Sequence, residues 1–239
     1  MASATRNPLG AIVQGGPALR PSRETKLTGR YVTVVGMTPE HIEPFYSYVS
    51  GDENAALWDY MLSGPFHELS SFRAVYEAQI ASQEMITYAF IPTAQPKTAD
   101  GADNVVGCAS YIRFDTNHRT AEVGSVMYSP ALAKTPAATE AMYLMAKHAF
   151  EDLGYRRYEW KCNALNGRSW RAALRLGFKY EGTFRQHMIV KGRSRDTAWF
   201  SIVDEEWEGV KKAMERWLDE GNFDRDGRQR RRLESFKDG

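Results

Sequence analysis

The sequence predicts a mixed α/β (α+β) fold built on one sheet, and three observations predict it. Short β-rich runs alternate with amphipathic runs at helical spacing, each bounded by Gly, Pro or Asp-Asn turns. Their order reads β-α-α-β-β-β-α-β-α-β-β, with three strands meandering in the middle, a β-α-β unit after them and a hairpin at the end. That is a mixed sheet and not the strict alternation of a doubly wound one. The 239 residues, 43% of them hydrophobic, suit a single such domain with extensions.

The elements follow in order. Gly29–Val35 alternates as a strand and stops at Gly36. Thr38-Pro39-Glu40 opens a helix to about Val49, with Thr38 as cap and Pro39 in the first position. Gly51–Phe66 is irregular and aromatic-rich, and Glu68–Ser82 carries Phe72, Val75, Tyr76 and Gln79 or Ile80 at helical spacing. Met85–Ile91 and Val105–Phe114 are strands joined by an exposed connection over 92–104. Asp115–His118 turns the chain into a returning strand, Arg119–Tyr128. A third helix starts at Thr135-Pro136 and stops at Leu153-Gly154. Arg157–Cys162 is a strand, Gly167–Leu176 a helix and Phe178–Val190 a strand that turns at Lys191–Arg193 into Asp196–Val203. The last helix covers about Glu205–Leu218. Residues 1–26 read as an irregular arm, 27–219 as the single domain, and 220–239 as a charged, flexible tail.

Composition removes several function classes. A net charge of +1 gives no global bias toward nucleic acid or an anionic membrane, and no apolar run nears the ~18 residues of a membrane span. Arg225, Arg228, Arg230, Arg231 and Arg232 are interrupted by Asp224, Asp226, Glu234 and Asp238, so that tail reads as solvated and not as a nucleic-acid arm. Cys108 and Cys162 sit in separate strand-like runs with no CxxC partner, which suits a reducing, cytoplasmic setting. The five histidines lack metal-ligand spacing, and no metal is expected. Met1–Arg23 is basic like a transit peptide, but its prolines and glycines break the amphipathic helix such a peptide needs; an arm lying on the domain or on a partner subunit is the plainer reading.

Two segments carry chemistry. Pro136-Ala137-Ala138-Thr139 opens a helix with little side-chain bulk, beside Lys134 and Thr135. A helix start offers unpaired N–H groups to a diphosphate, although the same residues also make an ordinary alanine-packed helix start. Asn166, Ser169 and Gly177-Phe178 then follow a strand with the spacing N-x-x-S-x7-G-F. Ala121–Gly124, Ala138–Ala141, Glu181-Gly182, Gly192 with Asp196, and Glu206-Trp207 accompany them in a consistent order.

On these residues the chain, from about Leu27 to Trp207, resembles the GNAT superfamily of acetyltransferases, and within it the Rim-type group that acetylates ribosomal-protein N-termini. The resemblance implies a mostly antiparallel sheet split between two central strands and flanked by helices. It implies acetyl-CoA as donor and an amine acceptor as partner, in a monomer or homodimer. The pantetheine arm would bond the backbone of Val126, Met127 and Tyr128. The diphosphate would meet Lys134, Thr135, Ala137, Ala138 and Thr139, with Asn166 and Ser169 nearby. Family members usually carry Q/R-x-x-G-x-G/A where this chain has Ala133–Ala138, and Pro136 has no N–H to give.

An amine must lose a proton before it attacks a thioester, and the leaving thiolate needs one. The family's usual tyrosine acid position is Ala173 here, which leaves Ser169 as the acid candidate; its plainer role is a hydroxyl bonding backbone or CoA. Glu122 is the base candidate, with a structural arginine-held carboxylate as its alternative. His187, beside Met188 where some Rim-type members carry a carboxylate, is the second. Trp58, Tyr60 and Phe66 between the first two helices, with Tyr111 and Arg113 on the strand before Glu122, are the acceptor-pocket candidates; aromatic core is the alternative for the first three. A catalytically inactive module that binds acyl-CoA or a partner is the second functional reading.

Overall fold

The computed structural model describes residues 7–237; Arg6 and Asp238, counted above with the two termini, lie outside the described residues. Eight strands form one sheet in the order β1-β2-β3-β4-β5-β6-β8-β7. They are β1 (Lys26–Thr28), β2 (Val32–Gly36), β3 (Met85–Pro92), β4 (Gly107–Asp115), β5 (Thr120–Tyr128), β6 (Arg157–Asn163), β7 (Lys179–Val190) and β8 (Arg193–Val203). Among the described residues only the β5–β6 pair is parallel. The helices are α1 (Ile42–Val49), α2 (Leu69–Ala81), α3 (Pro136–Lys147), α4 (Gly167–Arg175) and α5 (Asp204–Leu218).

Side-chain alternation sorts the sheet into two faces. On one face Tyr88, Tyr111, Val123, Tyr158, Phe200 and Ile202 pack against Ala141 and Met145 of α3, Ala173 of α4 and Trp207 of α5 in one apolar core. On the other, α1 and α2 cover only one half: Phe45, Phe72 and Tyr76 lie over Ala89, Ile91, Cys108 and Met127. Among the described residues no helix roofs the remaining half, where Glu122, Glu159, Lys161, Thr197 and Trp199 project.

Three departures from the sequence reading have local causes. A 3-10 turn, Pro39–His41, precedes α1, and His41 Nδ1 accepts the Thr38 N–H at 3.1 Å. The third helix ends at Lys147 and continues as a π-helical turn over His148–Asp152, with a 2.7 Å contact between His148 Nδ1 and Asp152 Oδ2. The tail does not run free. Leu233 is fully buried in the main core, Trp217 donates to Gln229 at 2.9 Å, and Lys237 donates to the Leu174 carbonyl at 2.7 Å.

Candidate active site: a fork between two strands

β5 and β6 pair over Thr120–Val123 and Arg157–Trp160 and then part. The cause is on the other side of β5. Between the pairs Cys108↔Met127 and Ser110↔Gly124, β4 advances two residues while β5 advances three. The extra residue makes a bulge, and Ser125 takes the left-handed conformation, φ +50°. A bulge bends and twists its strand, so the far half of β5 leaves β6 and opens a fork. Gly124 sits at the branch because Ile112 Cδ1 lies 2.3 Å from where a Cβ would stand. The backbone of Val126, Met127 and Tyr128 therefore lines the open side of the fork. The Met127 side chain is buried under α2, and the Tyr128 hydroxyl donates to the Ala138 carbonyl at 3.2 Å.

α3 begins beside the fork. Thr135 caps it, its Oγ1 taking the Ala138 N–H at 3.3 Å. Pro136 has no N–H, so Ala137 holds the clearest unpaired donor of the first turn. Lys134 precedes the cap at φ +66°. Thr139, in the first turn, accepts a 3.0 Å bond from Arg175 at the end of α4. That guanidinium also stacks 4.7 Å from the Trp217 ring, and burial holds its pKa below the ordinary value. The sequence reading took Arg175 as part of the run Arg175-Leu176-Gly177-Phe178 and gave it no binding role; the end of α4 against α3 supplies that role.

Ser169 approaches from the same face. Asn166 caps α4, accepting the Ser169 N–H at 3.1 Å, and the Trp160 indole donates to Ser169 Oγ at 2.9 Å. An indole only donates, so the serine hydrogen goes to another acceptor, and the Cys162 sulfur is one: the Ser169 hydroxyl lowers that thiol's pKa against the larger, raising effect of burial.

Glu122 approaches from the opposite face and is 2% exposed. Arg113 binds both its oxygens, Nε to Oε2 at 2.7 Å and Nη2 to Oε1 at 2.8 Å. Lys161 Nζ is also 2.7 Å from Oε2 and 2.8 Å from Glu159 Oε2, while it caps the Trp199 ring at 3.7 Å. Glu159 continues the network to Arg157, which reaches Glu181. Burial raises the Glu159 carboxyl, but hydrogen bonds from Lys161 and Arg157 outweigh it and hold the pKa below its ordinary value. Arg113 reaches Glu122 because β4 is itself bulged: the register slips between Ile112 and Asp115, and Arg113 adopts φ +46°. Regular alternation would aim it at the helix-covered face with Tyr111.

The other candidates separate. His187 lies on the Glu122 face, its Nδ1 2.9 Å from Thr197 Oγ1 and its ring 6.1 Å from Trp199. It borders an open hollow of about 830 Å³ with Phe184, Arg185, Gln186, Ser194 and Asp196. Tyr111 is core: fully buried on the α3 face, it donates its hydroxyl to the Met145 carbonyl at 2.5 Å. Trp58 is core as well, its indole donating to the Val49 carbonyl at 2.9 Å, and half-buried Phe66 packs edge-to-face against it at 5.0 Å. Burying one large aromatic face beneath α1 and α2 outweighs exposing it in a pocket. Tyr60 stays partly exposed at the rim. Lys191, at the β7–β8 tip, donates to the Trp58 carbonyl at 2.8 Å and so spans from the hairpin to this loop.

Comparison with known proteins follows the same lines. Residues 32–179 match the acetyltransferase (GNAT) domain family. Two Bacillus subtilis (strain 168) proteins are each 30% identical: YdaF, provisionally named a ribosomal N-acetyltransferase, over 108 residues and 45% of this chain, and YoaA, named an uncharacterized N-acetyltransferase, over 99 residues and 41%. The chain spans 58% and 55% of the length of these two curated relatives. The crystal structure of a GCN5-related N-acetyltransferase from Brucella melitensis superposes with a TM-score of 0.88 at 36% identity, covering 94% of this chain and 99% of that one. Among the described residues no helix is long and apolar enough to cross a membrane.

Proposed function

The chain belongs to the acetyltransferase (GNAT) domain family, and from that premise we propose that it transfers an acetyl group from acetyl-CoA to a primary amine. The observation that carries the proposal is the fork made by the Ser125 bulge, with unlike chemistry at its two faces. The pantetheine arm lies along the open half of β5 and bonds the backbone of Val126–Tyr128. The diphosphate rests on the first turn of α3, near Lys134, Thr135, Ala137, Ala138 and Thr139, with Arg175 adding a second cation held in place by Thr139 and Trp217. Asn166 holds α4 in place, and the catalytic unit covers 27–219 with the tail docked against it.

The acceptor enters from the Glu122 face. Its amine nitrogen attacks the thioester carbonyl carbon; a C–N bond forms, the C–S bond breaks, and CoA leaves as a thiolate. A backbone N–H of β5 near Met127 stabilises the tetrahedral oxyanion. The nitrogen loses its proton to Glu122 Oε1, the oxygen held by Arg113 alone, once Arg113 moves aside. His187 is the second candidate base. Ser169, turning its hydroxyl hydrogen from the Cys162 sulfur, protonates the thiolate. Two buried free thiols, Cys108 and Cys162, suit work in the cytoplasm.

The test is CoA release from acetyl-CoA with a panel of amines, run on the wild type, Glu122→Gln, Ser169→Ala and His187→Asn. Turnover with a loss on the order of 10²–10⁴-fold in Glu122→Gln supports the assignment of the base. CoA binding with no turnover on any amine would replace the enzyme reading with the binding module.

A further inference from the structure

The unroofed face carries more positive charge than its carboxylates neutralise. Along the central strands Glu122, Glu159 and Glu181 face Arg113, Lys161, Arg157 and Arg195, three acids against four bases; Asp196 and Arg185, around the adjoining hollow, add one of each. Lys161 and Arg157 between them bind all three carboxylates. That leaves Arg113, which shares Glu122 with Lys161, and Arg195.

Arg195 stands two residues beyond the last β6–β8 pair, Asn163↔Thr197, and so past the end of β6 at the mouth of the fork. It is half-buried, and among the described residues its side chain makes one hydrogen bond, from Nε to Thr197 Oγ1 at 3.2 Å. Among the described residues it forms no salt bridge. Burial is the main cause holding its pKa below the ordinary value; the charge of nearby Arg113 lowers it further, while Cys162 and Glu122 act in the opposite sense. A guanidinium has five donors in a planar fork, and desolvating one beside another guanidinium is unfavourable without an anion. Arg113, 60% exposed in its side chain, has the room to turn.

We infer that the acceptor carries a carboxylate close to its amine, bound between Arg195 and Arg113. This names the substrate class of the acetyltransferase reading and rests on it. An arriving carboxylate takes the free donors of Arg195 and draws Arg113 away from Glu122. Lys161 still compensates Glu122 through Oε2, and Oε1 becomes free to accept the amine proton. Binding of the anion thus uncovers the base. A polyamine would instead bring a second ammonium against two guanidinium groups.

The carboxylate has two possible sources, a free amino acid or an acidic residue at a peptide N-terminus. The experiment pairs amino acids with their carboxamides, and peptides beginning with Asp or Glu with those beginning with Asn or Gln; spermidine is the cationic control. Each acid is expected to exceed its amide in kcat/KM by roughly tenfold or more, as a charge-assisted bidentate contact warrants. Whichever pair shows the larger ratio identifies the source. In Arg195→Gln the ratio falls toward one through a rise in KM for the acid, and Arg195→Lys recovers part of it. Equal use of acid and amide, preference for spermidine, or an unchanged ratio in Arg195→Gln overturns the inference while leaving the acetyltransferase reading intact. If no amine turns over, that reading fails by itself. The subsite is then measured by calorimetric titration of the same acids and amides with CoA present: saturable binding of acids lost in Arg195→Gln supports it, and no saturable binding overturns it.

Discussion

The first four residues of β5 and the five that follow are held by different forces. Thr120–Val123 sit in a full ladder between β4 and β6, whereas Gly124–Tyr128 pair with β4 alone. At the boundary the adhesion passes from backbone to side chains: Lys161, one residue beyond the last pairing residue of β6, reaches back to Glu122 on β5. One half gains stability by completing its hydrogen bonds. The other leaves backbone groups unpaired along a fork, and a single extra residue separates the two regimes.

The sharpest way to break this contrast is to cut the bridge at the boundary. Lys161 is 5% exposed and Glu122 2%, so Lys161→Ala leaves buried carboxylates short of a cation. Removing one member of a buried pair costs roughly 3–5 kcal/mol. Urea unfolding is expected to show a loss of that size in Lys161→Ala and a much smaller one in the double variant Glu122→Leu/Lys161→Met. Equal losses would mean that the ladder alone holds the fork together.

Deleting Ser125 tests the bulge. Without the extra residue β4 and β5 fall back into register, the far half of β5 straightens toward β6 and the fork narrows. Acetyl-CoA affinity is expected to fall about a hundredfold, the scale on which small misplacements act, with the unfolding midpoint held or raised. Ser125→Gly, which accepts φ +50° without strain, keeps the affinity. Retained binding in the deletion would show that the bulge is not what opens the site.

These two regions also explain what could be read from the sequence. Strand and helix order follow from periodicity and turn residues, so the sheet was legible, as was Asn166 with its N-x-x-S spacing. Bulges were not, because Ser125 and Arg113 are ordinary residues in ordinary strand runs. Their positive φ angles come from register mismatch between neighbours, which no local pattern encodes. The same blindness put Tyr111 on the acceptor side and left Arg175 unassigned. Trp58, Tyr60 and Phe66 were left open between pocket and core because aromatic content alone does not tell a rim from a core. The tail failed for a related reason: composition averages over Leu233, which is buried in the main core.

Acid exposes the closed half more gently. The Glu159 carboxyl is held below its ordinary value of 4.5 against the effect of burial, by Lys161 and Arg157. A depressed carboxyl contributes stability above its unfolded pKa and loses it as pH falls through the folded one. Unfolding followed from pH 6 to pH 2, a range that spans about the carboxylate region, is therefore expected to steepen below 4.5 in the wild type. Glu159→Gln flattens that part of the curve. An unchanged slope would place the acid-sensitive group elsewhere.

The smallest expected effect lies where the open half ends, at the start of α3. Pro136 suits a first helical position, because its fixed φ fits and the N–H it lacks has no partner inside the helix. The cost falls on any anion seated there, which loses one of the donors a first turn can offer. Pro136→Ala restores that N–H in a residue of high helix propensity. One added hydrogen bond to a charged, partly solvated diphosphate contributes on the order of 1 kcal/mol, a several-fold gain in acetyl-CoA affinity. The chain itself should lose only a few tenths of a kcal/mol through greater freedom of the unfolded state. Calorimetric titration of acetyl-CoA against both proteins reads the first, and urea midpoints the second. Arg175→Met is the partner measurement: if Arg175 supplies a second cation beside Lys134, its loss outweighs the gain from Pro136→Ala. Affinity that moves in neither variant would take the diphosphate away from α3 altogether, and with it the reason for the fork to open toward that helix.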